Sequence, residues 1–226
     1  MSNPATNPGV SVTLYLEVVS SWCYHAEAAW DEVRLRFAGD ATFDWRVALM
    51  EPTAYPATRA QADWFYRRSG TIVGAQWILH SGWLDSRAPD DFVVPNLVAE
   101  AARSLGAGDD RVRRAIADAA LRHGQGVGDL DVAVAIAAEA SGLDRDALRT
   151  ASLDPRTRVA LDASTRDFHV MGATQRPTWV IESEIGDRAM LSGTWRAAPV
   201  IAVVEATLDD LRAYRSHAAH YGVVGS

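Results

Sequence analysis

Strand-forming sequence is confined to the two ends of this chain, and everything from about residue 56 to residue 168 reads as helix. Residues 12–19 (VTLYLEVV) are β-rich and mostly apolar, the pattern of a buried central strand. Ser20 and Ser21 then offer an N-cap. Residues 22–37 follow with a helical pattern in which Trp30, Val33, Leu35 and Phe37 supply apolar contacts and Gly39 a stop. Residues 42–49 (TFDWRVAL) make a second strand. The β signal returns only after Val170, with strands over 177–182 (PTWVIE) and 188–191 (RAML) and a hairpin turn at 184–187. An amphipathic helix over 200–217 closes the chain, striped by Ile201, Val204, Leu208 and Leu211. The order is β-α-β, a helical block, then β-β-α. It predicts an α/β core interrupted by an all-helical insertion.

Within the block, Gly, Pro and capping residues bound helices over 57–68, 71–83, 96–105, 110–123, 129–141 and 144–151. Asp129 caps the fifth and Gly142 ends it; Asp144 caps the sixth. The expected domains are 11–55 with 169–226 for the sheet, and 56–168 for the insertion. Residues 1–10, rich in Pro, Asn, Ser and Gly, read as a frayed tail.

Composition narrows the function classes. Apolar residues at 48% suffice for a sizeable core, and a mean hydropathy of -0.08 excludes a membrane-embedded or disordered chain. A net charge of -7 gives no overall attraction to phosphate backbones, so nucleic acid is not an expected partner. All 22 basic residues are Arg, which removes Schiff-base lysine catalysis and the lysine of a phosphate-binding P-loop. The first residues show neither a basic n-region nor an apolar h-region, so no leader is expected and the expected location is the cytoplasm. No membrane partner is expected, and the chain is expected to be a monomer or a homodimer. There is one cysteine, Cys23, so an intrachain disulfide and a cysteine-rich metal site are excluded. No metal is expected.

The motif at the end of the first strand carries a resemblance. Glu17-Val18-Val19-Ser20-Ser21-Trp22-Cys23-Tyr24 resembles the strand and Cys-Pro-Trp-Cys-Tyr motif of the DsbA-like branch of the thioredoxin superfamily, with Ser20 and Ser21 in place of the first cysteine and the proline. Residues 45–52 resemble that branch's second strand and the start of its insertion. Residues 96–106 resemble a helix of the insertion, and 191–193 the strand end before the last helix. Gly172-Ala173-Thr174-Gln175-Arg176-Pro177-Thr178 resembles its Gly-x-x-x-x-Pro-Thr stretch, which carries a cis-proline. The likeness spans nearly the whole chain and implies a thioredoxin fold interrupted by an all-helical insertion domain. The branch includes dithiol oxidoreductases. It also includes kappa-class glutathione transferases and 2-hydroxychromene-2-carboxylate isomerases, which carry Ser at the first motif position and use glutathione.

Dithiol catalysis needs one sulfur to attack and a second to resolve the mixed disulfide. Ser20 cannot supply the first. A hydroxyl there can instead hydrogen-bond a thiolate brought in by glutathione or another low-molecular-weight thiol, or serve only as an N-cap. The resemblance thus implies an enzyme acting on a small organic molecule by isomerase or thiol-transfer chemistry. Ser20 and Cys23 are its catalytic candidates, and Ser21, Trp22, Arg176 and Pro177 would hold the thiol. His25, Trp64, Arg68, Trp77 and His80 are candidates for the substrate pocket, since the insertion covers the site in relatives and is rich in aromatics between residues 64 and 92. Two alternatives stand beside this reading: a monothiol disulfide oxidoreductase using Cys23, and a thioredoxin-fold binding protein without catalysis.

Overall fold

The computed structural model describes residues 8–85 and 92–222, so most of the expected N-terminal tail lies outside the described residues. In chain order the elements are β1 (Val10–Leu16), α1 (Ser21–His25), α2 (Glu27–Arg36), β2 (Thr42–Val47), α3 (Arg59–Val73), α4 (Val94–Ser104), α5 (Arg111–Leu121), α6 (Leu130–Ser141), α7 (Arg145–Leu153), α8 (Pro155–Val170), β3 (Thr178–Ser183), β4 (Arg188–Ser192) and α9 (Ala197–Tyr221). Four strands form one sheet in the order β2-β1-β3-β4. The thioredoxin-like arrangement with a helical insertion is present.

The chain divides into two compact units. One comprises the residues up to Tyr15, Ala26–Arg46 and those from Ala173 onward; the other comprises Leu16–His25 and Val47–Gly172. The sequence reading puts residues 16–25, 47–55 and 169–172 with the sheet, whereas here they cluster with the helices. Hydrogen bonds explain the shift. Ala48 donates to the Leu16 carbonyl at 2.7 Å, Leu49 N–H reaches Thr165 Oγ1 at 3.0 Å, and Ser164 Oγ donates to the Val47 carbonyl at 2.5 Å, which ties the chain after β2 to α8.

In the sheet unit, β1 and β3 are the inner strands and pair antiparallel from Val10 opposite Ser183 to Tyr15 opposite Thr178. Both read as near-continuous apolar runs because a strand covered on both faces has no solvent side. Edge strand β4 alternates between exposed and half-buried residues, as a strand with one wet face must. The β3–β4 turn closes with Gly186 at φ 96°, a backbone region that favours glycine. Trp30 of α2 packs against Trp179 of β3 and Phe43 of β2, each at 5.7 Å between ring centroids. Helix α9 buries Val200, Val204, Leu208 and Leu211 and contacts β3 and α2.

In the helical unit, α4 touches α5, α6, α7 and α8. Its Val98, Ala99, Ala101 and Ala102 are fully buried, and the small alanine side chains let four neighbours approach one helix. Asp129, Asp144 and Asp154 cap α6, α7 and α8 through backbone N–H groups at 2.8–2.9 Å. Among the described residues no helix is long and apolar enough to cross a membrane.

Three helix assignments differ from the sequence reading. The helix expected over 22–37 is broken at Ala26 (φ -80°, ψ -8°) into α1 and α2. The expected helices 57–68 and 71–83 are replaced by a single α3, which runs through Gly70 and stops at Gly74, whose left-handed φ of 71° ends it. Residues 75–85 are irregular apart from a 3-10 turn at Gly82–Leu84. The sequence reading carries the helical block to residue 168 without separating α8, although Asp154-Pro155 is a capping signal with Pro at the first helical position.

Trp179 is fully buried and its indole N–H donates to the Thr194 carbonyl at 2.7 Å. Trp179→Ala is expected to destabilise the protein by about 3–5 kcal/mol, read as a lowered denaturation midpoint in urea.

Candidate functional site

The segment Leu16–His25 carries the motif, and a buried carboxyl organises it. Glu17 is fully buried. A buried polar group is costly unless hydrogen-bonded, and this one receives donors from three separate stretches of chain. Val19 N–H donates to Oε2 at 3.1 Å; Asn96 Nδ2 and the Tyr55 hydroxyl donate to Oε1 at 2.6 and 3.2 Å. Asn96, also fully buried, accepts from Val18 N–H at 3.1 Å through its Oδ1. The amide therefore clasps both the backbone and the side chain of the motif from the first turns of α4. Neither Glu17 nor Tyr55 was singled out from the sequence, and Asn96 was read only as a helix start. The signal that was available is a lone acid, Glu17, closing an otherwise apolar strand.

Beyond Glu17 the chain turns. Ser20 N–H donates to the Glu17 carbonyl at 3.1 Å, and Tyr24 N–H to the Ser20 carbonyl at 2.9 Å. Ser20 Oγ lies 3.5 Å from Cys23 N, a long N-cap contact. Helix α1 has five residues, so it supplies little of the dipole expected from a helix running to Phe37. Cys23 is 4% exposed, and its Sγ takes a long contact of 3.5 Å from Glu17 N–H.

Ser20 lines a cavity of about 130 Å³. The motif contributes Val19, Ser20, Ser21 and Trp22 to its wall; the stretch after β2 contributes Met50, Ala54, Tyr55 and Pro56; α3 contributes Phe65, Tyr66 and Arg68; Trp83 completes it. The aromatic side is held rigidly. The Trp83 indole N–H donates to the Tyr66 hydroxyl at 2.9 Å, and Tyr55 stacks on Phe92 at 3.7 Å. The Arg68 guanidinium lies over the rings of Trp64 and Phe65 at 4.9 and 5.3 Å. Among the described residues no carboxylate forms an ion pair with Arg68.

Of the expected site residues, Ser20, Ser21, Trp22 and Arg68 meet at this cavity. Trp64, His25, Trp77 and His80 are not among its lining residues. Trp64 is 56% exposed and serves as the platform for Arg68. Trp77 lies between His25, stacked at 5.6 Å, and the Arg122 guanidinium at 4.1 Å. His80 packs over Gly82 and Gly124, where a Cβ would meet its ring at 2.8 and 2.3 Å, and its Nδ1 accepts from Gly82 N–H at 3.0 Å. Arg176 and Pro177 belong to the other compact unit, in the stretch entering β3, and the peptide bond joining them is cis. Among the described residues no group of three His, Cys, Asp or Glu side chains comes together.

The architecture has counterparts among solved structures. Cytosolic disulfide reductase DsbM from Pseudomonas aeruginosa superposes with a TM-score of 0.70 at 19% identity, over 88% of this chain and 98% of that one. The chain has the DsbA-like thioredoxin fold. The DsbM structure with GSH gives a TM-score of 0.68 at 18% identity, over 88% of this chain and 99% of that one. Pseudomonas aeruginosa DsbA gives 0.61 at 12%, over 96% and 91%. No protein-family model matches the chain, and no curated protein matches it by sequence.

The motif of this DsbA-like fold also carries two perturbed groups, neither of them in the cavity lining. Burial pushes the Tyr24 phenol up from 10.0 to about 12, the hydrogen bond and charge of Asp118 push the same way, and Arg122 opposes them. Tyr24 donates to Asp118 Oδ1 at 2.6 Å. Burial lowers the pKa of His25, whose Nε2 has no hydrogen-bond partner among the described residues. A raised phenol favours the neutral form in the folded state, so its contribution to stability is complete below 10.0 and is lost as pH rises through about 12. The difference between ultraviolet titrations of the unmodified protein and Tyr24→Phe is expected to show one phenol with a midpoint at about 12, and Asp118→Asn is expected to lower it.

Proposed function

We propose that this protein is an enzyme that acts on a small organic molecule with the help of a low-molecular-weight thiol of the glutathione type, by isomerisation or thiol transfer. The observation that carries the reading is the cavity whose wall places a serine, rather than a cysteine, beside aromatic rings and a cation that has no acidic partner among the described residues. Ser20 donates a hydrogen bond to the thiol sulfur. A hydrogen bond to a charged acceptor is worth about 1.5–3 kcal/mol, enough to lower a thiol pKa by roughly one to two units. Arg68 receives the carboxylate or other anion of the thiol or its co-substrate. The size of the cavity limits what enters. An apolar cavity of ~150 Å³ holds one benzene, so a volume of about 130 Å³ takes a thiol group or a single ring and leaves the rest of the ligand outside. That DsbM has been solved with GSH supports a glutathione-type thiol for this fold.

The monothiol alternative asks an outside disulfide to reach Cys23 Sγ, and at 4% exposure the residue is shielded. An intramolecular dithiol cycle is closed to a chain with one cysteine. Insulin disulfide reduction at the rate of a Cys-x-x-Cys enzyme is therefore not expected, and such turnover would contradict the reading. Calorimetry with glutathione tests it directly: saturable binding by the folded protein is expected. Arg68→Ala should weaken that binding about tenfold or more. Ser20→Ala should raise the bound thiol's pKa by at least about one unit. Absence of binding by any cellular thiol would leave the non-catalytic alternative.

A further inference from the structure

The Glu17 carboxyl takes three donors, and one of them belongs to the cavity. Val19 N–H and Asn96 Nδ2 already give each oxygen a partner at 3.1 and 2.6 Å. The Tyr55 hydroxyl adds a third at 3.2 Å, and Tyr55 is also part of the wall of the Ser20 cavity. A hydrogen bond therefore joins a residue of the cavity wall to a fully buried carboxyl. Its geometry is fixed at every joint. Pro56 restricts the residue before it to extended backbone, and Tyr55 sits at φ -78°, ψ 150°. The ring is held by its stack on Phe92 at 3.7 Å. Asn96 is anchored by the Phe92 carbonyl at 3.1 Å and by Val18 N–H.

We propose that Tyr55 is the proton-transfer residue of the Ser20 cavity, that Glu17 is the internal proton acceptor behind it, and that Asn96 positions the acceptor. The inference rests on the thiol reading above. A bound thiol gives its S–H proton to Tyr55 Oη while the phenol's own proton passes to Glu17 Oε1. The S–H electron pair stays on sulfur, so the products are a thiolate and a neutral carboxylic acid. No oxidant or reductant takes part. Ser20 donates to the thiolate so formed. Among the described residues, the other titratable side chains of the cavity wall are Tyr66, whose hydroxyl accepts from Trp83, and the Arg68 cation; Cys23 Sγ lies on the Glu17 backbone N–H.

The test is the ultraviolet thiolate absorbance that appears when glutathione is titrated into the full chain at neutral pH, with S-methylglutathione as the ligand that cannot ionise at sulfur. A saturable thiolate band is expected with glutathione and none with the methylated form. Tyr55→Phe keeps the ring and its stack. It is expected to bind glutathione within about twofold of the unmodified protein while its ratio of thiolate to thiol falls about tenfold, one pKa unit. Glu17→Gln should show the same loss; if it does not fold, Tyr55→Phe decides alone. A band undiminished in Tyr55→Phe, or the loss of glutathione binding in that variant, overturns the proton-transfer assignment and leaves the thiol site standing. No saturable binding of glutathione to the unmodified protein overturns the thiol reading and this inference with it.

Discussion

A carboxyl taken wholly out of water must recover its hydrogen bonds from the protein, and the local structure around Glu17 follows from that requirement. The donors come from the motif itself, from the residue before Pro56 and from α4. Satisfying one side chain therefore fixes three stretches far apart in sequence. A donor removed from such a set leaves part of the carboxyl unsatisfied, at about 1–3 kcal/mol. This cost explains why Asn96 is buried in a helix whose other inward residues are apolar or alanine. It also accounts for the membership of residues 16–25 in the helical unit: their backbone and side chains are hydrogen-bonded there through Val18, Glu17 and Leu16.

The strands and most of the helical block were legible because their signals are local. A strand buried on both faces reads as an apolar run, and aspartates before alanine-rich stretches read as caps. What was not legible depended on choices between similar signals. Gly70 and Gly74 both look like helix ends. Gly70 keeps helical geometry, with the Trp77 carbonyl 3.7 Å from where its Cβ would lie, and only Gly74 takes the left-handed conformation that terminates α3. With residues 75–81 irregular, the facing expected of Trp77 and His80 disappears, and each packs elsewhere: Trp77 against a histidine and an arginine, His80 on two glycines.

The motif residues were found by position and residue type, and Arg68 by its place among the aromatics. Glu17 and Tyr55 were missed because neither type is diagnostic alone. A single acid in a strand can face solvent, and a tyrosine before a proline reads as a turn. Their pairing is a tertiary fact, created by the path of the chain after β2, which the hydrogen bonds of Ala48 and Leu49 draw against the motif and α8.

The replacement of a sulfur by a hydroxyl at position 20 changes more than reactivity. A cysteine there binds a substrate sulfur covalently, and release then needs a second thiol. A serine holds a sulfur only by a hydrogen bond, so in the proposed reading the thiol arrives and leaves without electron transfer. The demand on the site moves from redox potential to proton management, because a thiol with an ordinary pKa is mostly protonated at neutral pH. A five-residue helix contributes little positive field to that task. The remaining means are a donor to the thiolate and a route for its proton. In the proposed reading, Ser20 at the cavity, with Tyr55 in the same wall and Glu17 buried behind it, supplies both from residues that the fold already needs for its own hydrogen bonding.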